Sequence, residues 1–299
     1  MKNKKNVYAI LVAYNPDSSE LQLAVDNLLS QTDFVVVCNN SDYDITLHSA
    51  DRIRVFNFRE NLGIAEAQSI GMKWAFENGA DFILQMDQDS LLQEHTVTKL
   101  MDRYFELTKV GYTIGVIGPR HYDKITNEVD EGRLIKGNNI PGHNCHIIHA
   151  TISSASLIPL SAYEAAGSMD DGLFIDSVDW EYCWRLKKLG FITVRDNDVL
   201  LGHRVGEGKQ KLIGSIDARI PSPIRHYYHT RNLFLLFPRS YVPIYWKLSN
   251  LFKLFIKLFV YPFAFKDGKV RFKYIVCGIK DGLLGRYGRI DNAARKNNG

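Results

Sequence analysis

The chain has 299 residues, 45% of them hydrophobic and 23% charged, a composition that supports a sizeable folded core and excludes a mainly disordered polypeptide. That length suits one α/β core with an appendage better than two large domains. The net charge of +4 and the pI near 8.7 are mild, but Lys and Arg clearly outnumber Asp and Glu after residue 204, and a basic end points to phosphates or an anionic membrane.

The start MKNKKN is basic and the next run, Val7–Ala13, is apolar, yet the run is short, closes on Asn15-Pro16-Asp17 and has no small-residue cleavage site. It therefore reads as a first strand buried on both faces and not as a signal peptide. Ser18-Ser19 offers a helix N-cap, and Leu21, Ala24, Val25, Leu28 and Leu29 then recur at helical spacing. Strands are predicted over residues 34–38 and Ile53–Asn57, a helix over 64–78 stopped by Gly79, and a fourth strand over 82–86. A helix follows over Thr96–Lys109 and a short strand over 114–118. Residues 121–146, rich in Gly, Asn and charge without a clear period, read as a long surface loop. Strand character returns over 147–159, and short helices are predicted over 161–166 and 180–189, the second ended by Gly190.

This order is that of an α/β protein, in which ligands bind beyond the carboxyl ends of the strands. Tyr14-Asn15, the turn from Cys38 to Asp42, and Asp87-Gln88-Asp89 all fall there. Two carboxylates one residue apart after a buried strand invite a hard divalent cation, Mg²⁺ or Mn²⁺, completed by substrate phosphates; the alternative is a polar turn that ends the strand. In the later acid cluster, Asp176 and Asp179 have capping-box spacing and Glu181 lies four residues before Arg185, so helix capping and ion pairing explain part of it. Asp179 is also placed to take a proton from an incoming hydroxyl. His203 closes the apolar run that starts at Val199. His143, Cys145, His146 and His149 fit no standard zinc spacing.

The four cysteines, at 38, 145, 183 and 277, form no CxxC pair and read as reduced thiols of a cytosolic protein. No uncharged apolar stretch reaches the roughly 18 residues of a spanning helix. Residues 244–265, IYWKLSNLFKLFIKLFVYPFAF, place Ser249, Asn250, Lys253 and Lys257 on one helical face. Such a helix either lies in a membrane interface or packs on the core or on a second subunit of a homodimer.

Taken in order, Ala13-Tyr-Asn-Pro16, Val37-Cys-Asn-Asn-Ser41, Asn61-Leu-Gly63, Met86-Asp-Gln-Asp-Ser90, Phe174-Ile-Asp-Ser-Val-Asp-Trp-Glu-Tyr-Cys-Trp-Arg185 and Gly202-His203 resemble the inverting, metal-dependent glycosyltransferases of family 2 with the GT-A fold. Within that family, the DQDS and FID-x-VD-x-E-x-C-x-R forms look most like bacterial rhamnosyltransferases of surface-polysaccharide assembly. The resemblance covers about residues 6–235 and implies a GT-A catalytic domain over 1–235, a mostly parallel mixed sheet flanked by helices, followed by a basic, helical membrane-associating or oligomerising region over 236–299.

It further implies that Tyr14, Asn15, Cys38, Asn39 and Ser41 face the nucleoside, Asn61 and Gly63 the base and ribose, and Asp87, Gln88 and Arg231 the sugar and diphosphate. Asp89 and His203 would hold the metal, Ser154 and Glu181 would meet the acceptor, and Asp179 would be the catalytic base. The donor implied is dTDP-β-L-rhamnose and the acceptor a lipid-linked saccharide at the cytoplasmic face of the inner membrane. Position 38 is usually aspartate in this family, where it accepts a hydrogen bond from the base; cysteine is a poor acceptor, leaving Asn39 or Asp42 to substitute. Gln68-Ser69 stands where a second asparagine is often found. Rival readings are the same mechanism with a UDP-hexose donor, a catalytically silent nucleotide- or glycan-binding scaffold, and a sugar-nucleotide pyrophosphorylase, which would need a Gly-rich phosphate loop absent after the first strand. Nucleic acid is the least favoured partner, because the crevice residues are acidic.

Overall fold

Alternation of side chains across each strand gives the first half of the chain two buried faces to cover. In the computed structural model of the protein, which describes residues 4–48, 50–123, 137–203, 209–211, 217–219 and 221–290, β1 (Val7–Ala13) directs Ala9, Leu11 and Ala13 into one apolar cluster and Ile10 into another. Helices α1 (Ser18–Leu29) and α3 (Thr96–Lys109) cover the first face through Leu21, Val25, Leu28, Val97 and Leu100. Helix α2 (Ile64–Glu77) covers the second through Met72, Ala75 and Phe76.

The strands β2 (Phe34–Asn39), β3 (Ile53–Asn57) and β4 (Phe82–Asp87) lie parallel to β1 in the order β3-β2-β1-β4. Beyond β4 the sheet continues with β8 (Ser156–Pro159), β5 (Ile114–Asp123), β9 (Ile192–His203), β7 (Cys145–Ile148) and β6 (Gly137–Asn139). Here β8 is antiparallel to both β4 and β5, β9 is parallel to β5, and β7 is antiparallel to β9. The result is a mixed, mostly parallel sheet flanked by helices. A small hairpin of β10 (Lys209–Lys211) and β11 (Asp217–Arg219) stands apart.

Several sequence expectations are corrected here. Helix α1 is capped by Asp17, whose Oδ1 accepts from the N–H groups of Ser19 and Glu20 at 2.9 and 3.0 Å; Ser18 and Ser19 are its first helical residues. The carboxylate, held below its ordinary pKa by the Ser19 hydroxyl and then by these N–H groups, is the better complement to a helix N-terminus. Within the stretch read as a loop, β5 runs on to Asp123 and β6 and β7 form an edge hairpin against β9. The single strand expected over 147–159 is two strands, parted by a turn in which Ala155 takes φ 57° and donates to the Gln85 carbonyl. β7 and β8 run in the same sense, both antiparallel to the β5–β9 pair, so the turn moves the chain across the sheet without reversing it and sets β8 between β4 and β5.

The short helix α4 (Leu160–Ala166) leads into α5 (Val178–Lys188). Behind α5 pack α6 (Pro223–Leu236), α7 (Ile244–Ala264) and α8 (Gly268–Leu283). The contact of α8 with α6 is close because Gly278 leaves no room for a side chain: a Cβ there would sit 2.6 Å from the Tyr227 carbonyl oxygen. Among the described residues no helix is long and apolar enough to cross a membrane.

Candidate active site

The rim of the crevice is built by side chains bonding to neighbouring loops. Gln88, between the two aspartates, accepts from the Tyr14 N–H at 2.7 Å and donates to the Tyr14 carbonyl at 3.3 Å, which ties the ends of β1 and β4 together. Tyr14 itself is 52% exposed. Asn15 adopts φ 45° and its N–H donates to the Ser41 hydroxyl at 2.8 Å. Asn39 is fully spent on the scaffold, donating to the Tyr43 carbonyl and Asn57 Oδ1 and accepting from the Ser41 N–H. Asn40, placed by the sequence in the crevice turn without a role of its own, donates to the Gly63 carbonyl at 3.0 Å and accepts from the Leu62 N–H at 3.2 Å. Its signal was an asparagine after a fully buried strand, where a polar side chain must find partners.

Asn61 accepts from the Gly63 N–H at 2.9 Å. Gly63 has φ 88°, and a Cβ on it would lie 2.6 Å from the Phe174 carbonyl oxygen. That carbonyl instead accepts from the Ala65 N–H, so the start of α2 rests directly on the loop that carries the later acid cluster.

That loop is under strain. Phe174, Asp176 and Ser177 all have positive φ, between 64° and 72°, a conformation costing of order 1–3 kcal/mol at each non-glycine residue. Helix α6 holds it from behind. The Asn232 amide donates to the carbonyls of Leu173, Ile175 and Asp176 at 3.1, 2.8 and 2.9 Å, and Arg231 reaches those of Gly172 and Leu173. Arg225 grips the Asp176 carboxylate. The capping-box expectation for Asp176 and Asp179 therefore fails: Ser177 is the N-cap, no side chain caps the helix, and Arg225 has claimed Asp176.

The clamp places Asp179 in the first turn of α5, half-buried at the crevice. Its Oδ1 accepts from the Trp180 N–H at 2.9 Å. Desolvation pushes its pKa up to about 7, the charge of Asp87 pushes the same way, and backbone N–H groups, including that of Ser153, oppose both. Two acids 92 positions apart in sequence thus share one electrostatic environment. Asp89 follows two residues after Asp87 and is exposed.

Other expected site residues lie elsewhere. Cys38 is fully buried among Ile10, Val36 and Met72, with its thiol pushed up to about 12 by burial, so it is turned from the crevice into the core. Arg231 is also fully buried on the carbonyls it clamps. Glu181 is buried and accepts from Arg185 through two 2.9 Å bonds and from the Tyr241 hydroxyl at 2.7 Å, the ion pair anticipated from its spacing. Ser154 is buried, with no hydrogen-bond partner for its Oγ among the described residues. Its neighbour Ser153 nonetheless brings this turn against Asp179. His203 ends β9, and its side chain lies outside the described residues. Among the described residues no group of three or more His, Cys, Asp or Glu is assembled for a metal; His143, His146 and His149 each contact a different partner, Arg103, Asn197 and Lys187.

The sequence matches the model of glycosyl transferase family 2 over residues 8–157, the span from β1 through β8 that carries the crevice rim. It is 33% identical over 246 residues to the dTDP-rhamnosyl transferase RfbF of Shigella flexneri, covering 80% of this chain and 82% of that relative. Among solved structures, the crystal structure of GalNAc-T7 with UDP, GalNAc and Mn²⁺ is similar at a TM-score of 0.57 and 13% identity, over 95% of this chain. This chain spans only 57% of that neighbour, and at such low identity the likeness bears on the fold alone. With the mixed sheet, the Asp-x-Asp strand end and both sequence matches agreeing, the chain belongs to glycosyl transferase family 2 and has the GT-A fold.

Proposed function

We propose that the protein is an inverting, metal-dependent glycosyltransferase that moves L-rhamnose from dTDP-β-L-rhamnose to a lipid-linked saccharide in cell-surface polysaccharide synthesis, at the cytoplasmic face of the membrane. The observation that carries the base chemistry is the placing of Asp179 in the first turn of α5, desolvated and within the field of Asp87, with its pKa raised to about 7, while the donor rests on the likeness to the dTDP-rhamnosyl transferase RfbF. A carboxylate whose pKa lies near the working pH can both take a proton and drive its transfer.

In this mechanism Asp179 removes the proton of an acceptor hydroxyl as that oxygen attacks the anomeric carbon. The bond to the diphosphate breaks on the opposite face, and one displacement inverts the centre. Asp87 receives the sugar or ribose, and the Tyr14–Asn15 and Asn61–Gly63 turns receive the nucleoside. Asp89, an exposed carboxylate beside the crevice, has the oxygen chemistry a hard cation takes and, with His203, would hold Mg²⁺ or Mn²⁺. A cation held there would lend Lewis-acid charge to the departing diphosphate. Ser154 would act through the turn it shares with Ser153, and Glu181 and Arg231 through the frame they brace.

A second reading keeps this chemistry with a UDP-hexose donor. The burial of Cys38 leaves recognition of the base to the exposed Asp42 and to backbone groups, and uracil and thymine present the same imide edge to them. Calorimetric titration with dTDP-rhamnose, dTDP, UDP-galactose and UDP, with and without Mn²⁺ and beside Asp89→Ala, decides between them. Metal-dependent binding of the thymidine ligands that the variant loses supports rhamnosyl transfer; preference for the uridine ligands replaces the donor; no nucleotide binding by folded protein overturns the reading.

A further inference from the structure

Helix α7 is inside out for a helix packed on a soluble domain. Part of its polar side is turned to the protein: Lys247 donates to the Arg239 carbonyl at 2.8 Å, and Asn250 is buried, bonded to the Trp246 carbonyl of its own helix, while Ser249 and Lys253 stay exposed. Trp246 anchors it by meeting Trp184 of α5 edge to face, ring centroids 5.1 Å apart. The opposite side presents Ile244, Leu248, Phe252, Phe255, Phe259 and Phe263 to solvent, with Phe252 67% and Phe263 81% exposed. These positions recur at three- and four-residue intervals and make one continuous ridge along a 21-residue helix, about 30 Å long. So large an exposed apolar patch marks an interaction surface.

Charge decides what covers it. From residue 236 to 290 the sequence has eleven Lys and Arg and two Asp, and both aspartates are already engaged, Asp267 by Arg271 and Asp281 by Tyr227 and Arg286. Lys253 on α7, Lys266 after it, and Lys269, Lys273 and Lys280 on α8 are all exposed. A second copy docked ridge to ridge would bring two such cationic surfaces together, which is repulsive. An anionic bilayer offers hydrocarbon to the phenylalanines and phosphates to the lysines at once.

We propose that α7 lies flat in the interface of an anionic membrane, its Phe252–Phe255–Phe259–Phe263 ridge among the acyl chains and Lys253, Lys266 and the exposed lysines of α8 at the headgroups. Trp246 then sets α5, the helix that carries Asp179 in its first turn, as the next layer above the lipid, since packed helix axes lie about 8–10 Å apart. This placement deepens the reading of a lipid-linked acceptor: an acceptor anchored in that bilayer would present its saccharide from the side on which the base helix sits.

The test is co-sedimentation of the protein with vesicles of phosphatidylcholine alone and of phosphatidylcholine with phosphatidylglycerol, at low and high salt, with sedimentation equilibrium run in parallel. Binding to the anionic vesicles that weakens with salt is expected. Phe255→Ser and Phe259→Ser should each lower the partition coefficient by about tenfold or more, as loss of one buried phenylalanine implies, and should leave nucleotide-sugar binding unchanged. Failure of the wild type to bind anionic vesicles overturns the proposal, as does undiminished binding by a folded variant that combines Phe255→Ser with Phe259→Ser. A wild-type dimer that the same substitutions split, without vesicle binding, assigns the ridge to a second copy and overturns it too. Vesicle binding by a protein that binds no nucleotide sugar upholds the surface while removing the proposed function, so the two can fail separately.

Discussion

The side-chain amide of Asn232 donates to the main-chain carbonyl of Asp176 at 2.9 Å, joining α6 to the strained residue three before the proposed base. Three carbonyls of the loop accept from this one amide, that of Leu173 sharing it with Arg231. Asn232→Ala is expected to lower stability by about 1–3 kcal/mol, the cost of leaving buried polar groups unpaired. It should also depress kcat more than donor affinity, because the nucleotide side of the crevice is built from other elements. Urea unfolding beside steady-state kinetics checks both; a folded variant with wild-type kcat would contradict the clamp.

Asp179 gives two linked pH predictions. Its carboxyl must be ionised to accept a proton, so kcat should rise with pH through about 7 and level off above. Stability should move the other way. Between the ordinary carboxylate range and about 7 the folded protein holds a proton that the unfolded chain has released, so stability falls as pH rises across that window and is flat beyond it. Asp179→Asn should abolish transfer, flatten this part of the stability profile and leave the protein more stable than wild type above pH 7, as read from thermal unfolding over a pH series.

Gly63→Ala tests the contact between α2 and the base loop. The new methyl would meet the Phe174 carbonyl at 2.6 Å on a backbone with φ 88°, so a loss of about 1–3 kcal/mol from backbone strain is expected. A fall in kcat should accompany it, because relief of the clash moves Phe174 and the loop behind it. An unchanged melting temperature would show that the loop yields freely.

Glu181→Ala should act on folding before it acts on an acceptor. Removing the carboxylate leaves Arg185 and Tyr241 without their shared partner, and breaking a buried ion pair costs about 3–5 kcal/mol. Chemical denaturation measures this directly. Acceptor KM in the more conservative Glu181→Gln, which keeps the volume and an acceptor oxygen, should stay close to wild type.

Periodicity made most of the scaffold legible. The bounds of β1, β3 and α3 coincide with the expected ones because each is a strongly patterned segment between clear breakers. The edge hairpin of β6 and β7 escaped because its residues, Gly137-Asn138-Asn139 among them, have no apolar alternation; their pairing comes from β9, which is distant in sequence. At the site, the aspartates were visible because a charge after a buried strand is conspicuous. The real duties of Arg231 and Asn232 were not, since a residue that binds main-chain carbonyls leaves no trace in the sequence of the loop it holds. Cys38 was misplaced for a related reason: position along a strand fixes which face a side chain takes, but one residue at the strand's end decides between crevice and core.

The frame around Asp176 is completed from far along the chain. Gly288 donates its N–H to the Gly172 carbonyl at 2.8 Å and its own carbonyl accepts from Arg231, while the Ile290 N–H bonds the Tyr228 hydroxyl. The catalytic and C-terminal parts are consequently not exchangeable modules. A chimera joined at residue 235 would carry a foreign tail unable to close this frame, whereas one that transplants everything from Pro223 to Ile290 together with the 172–176 loop would keep the matched halves of the lock.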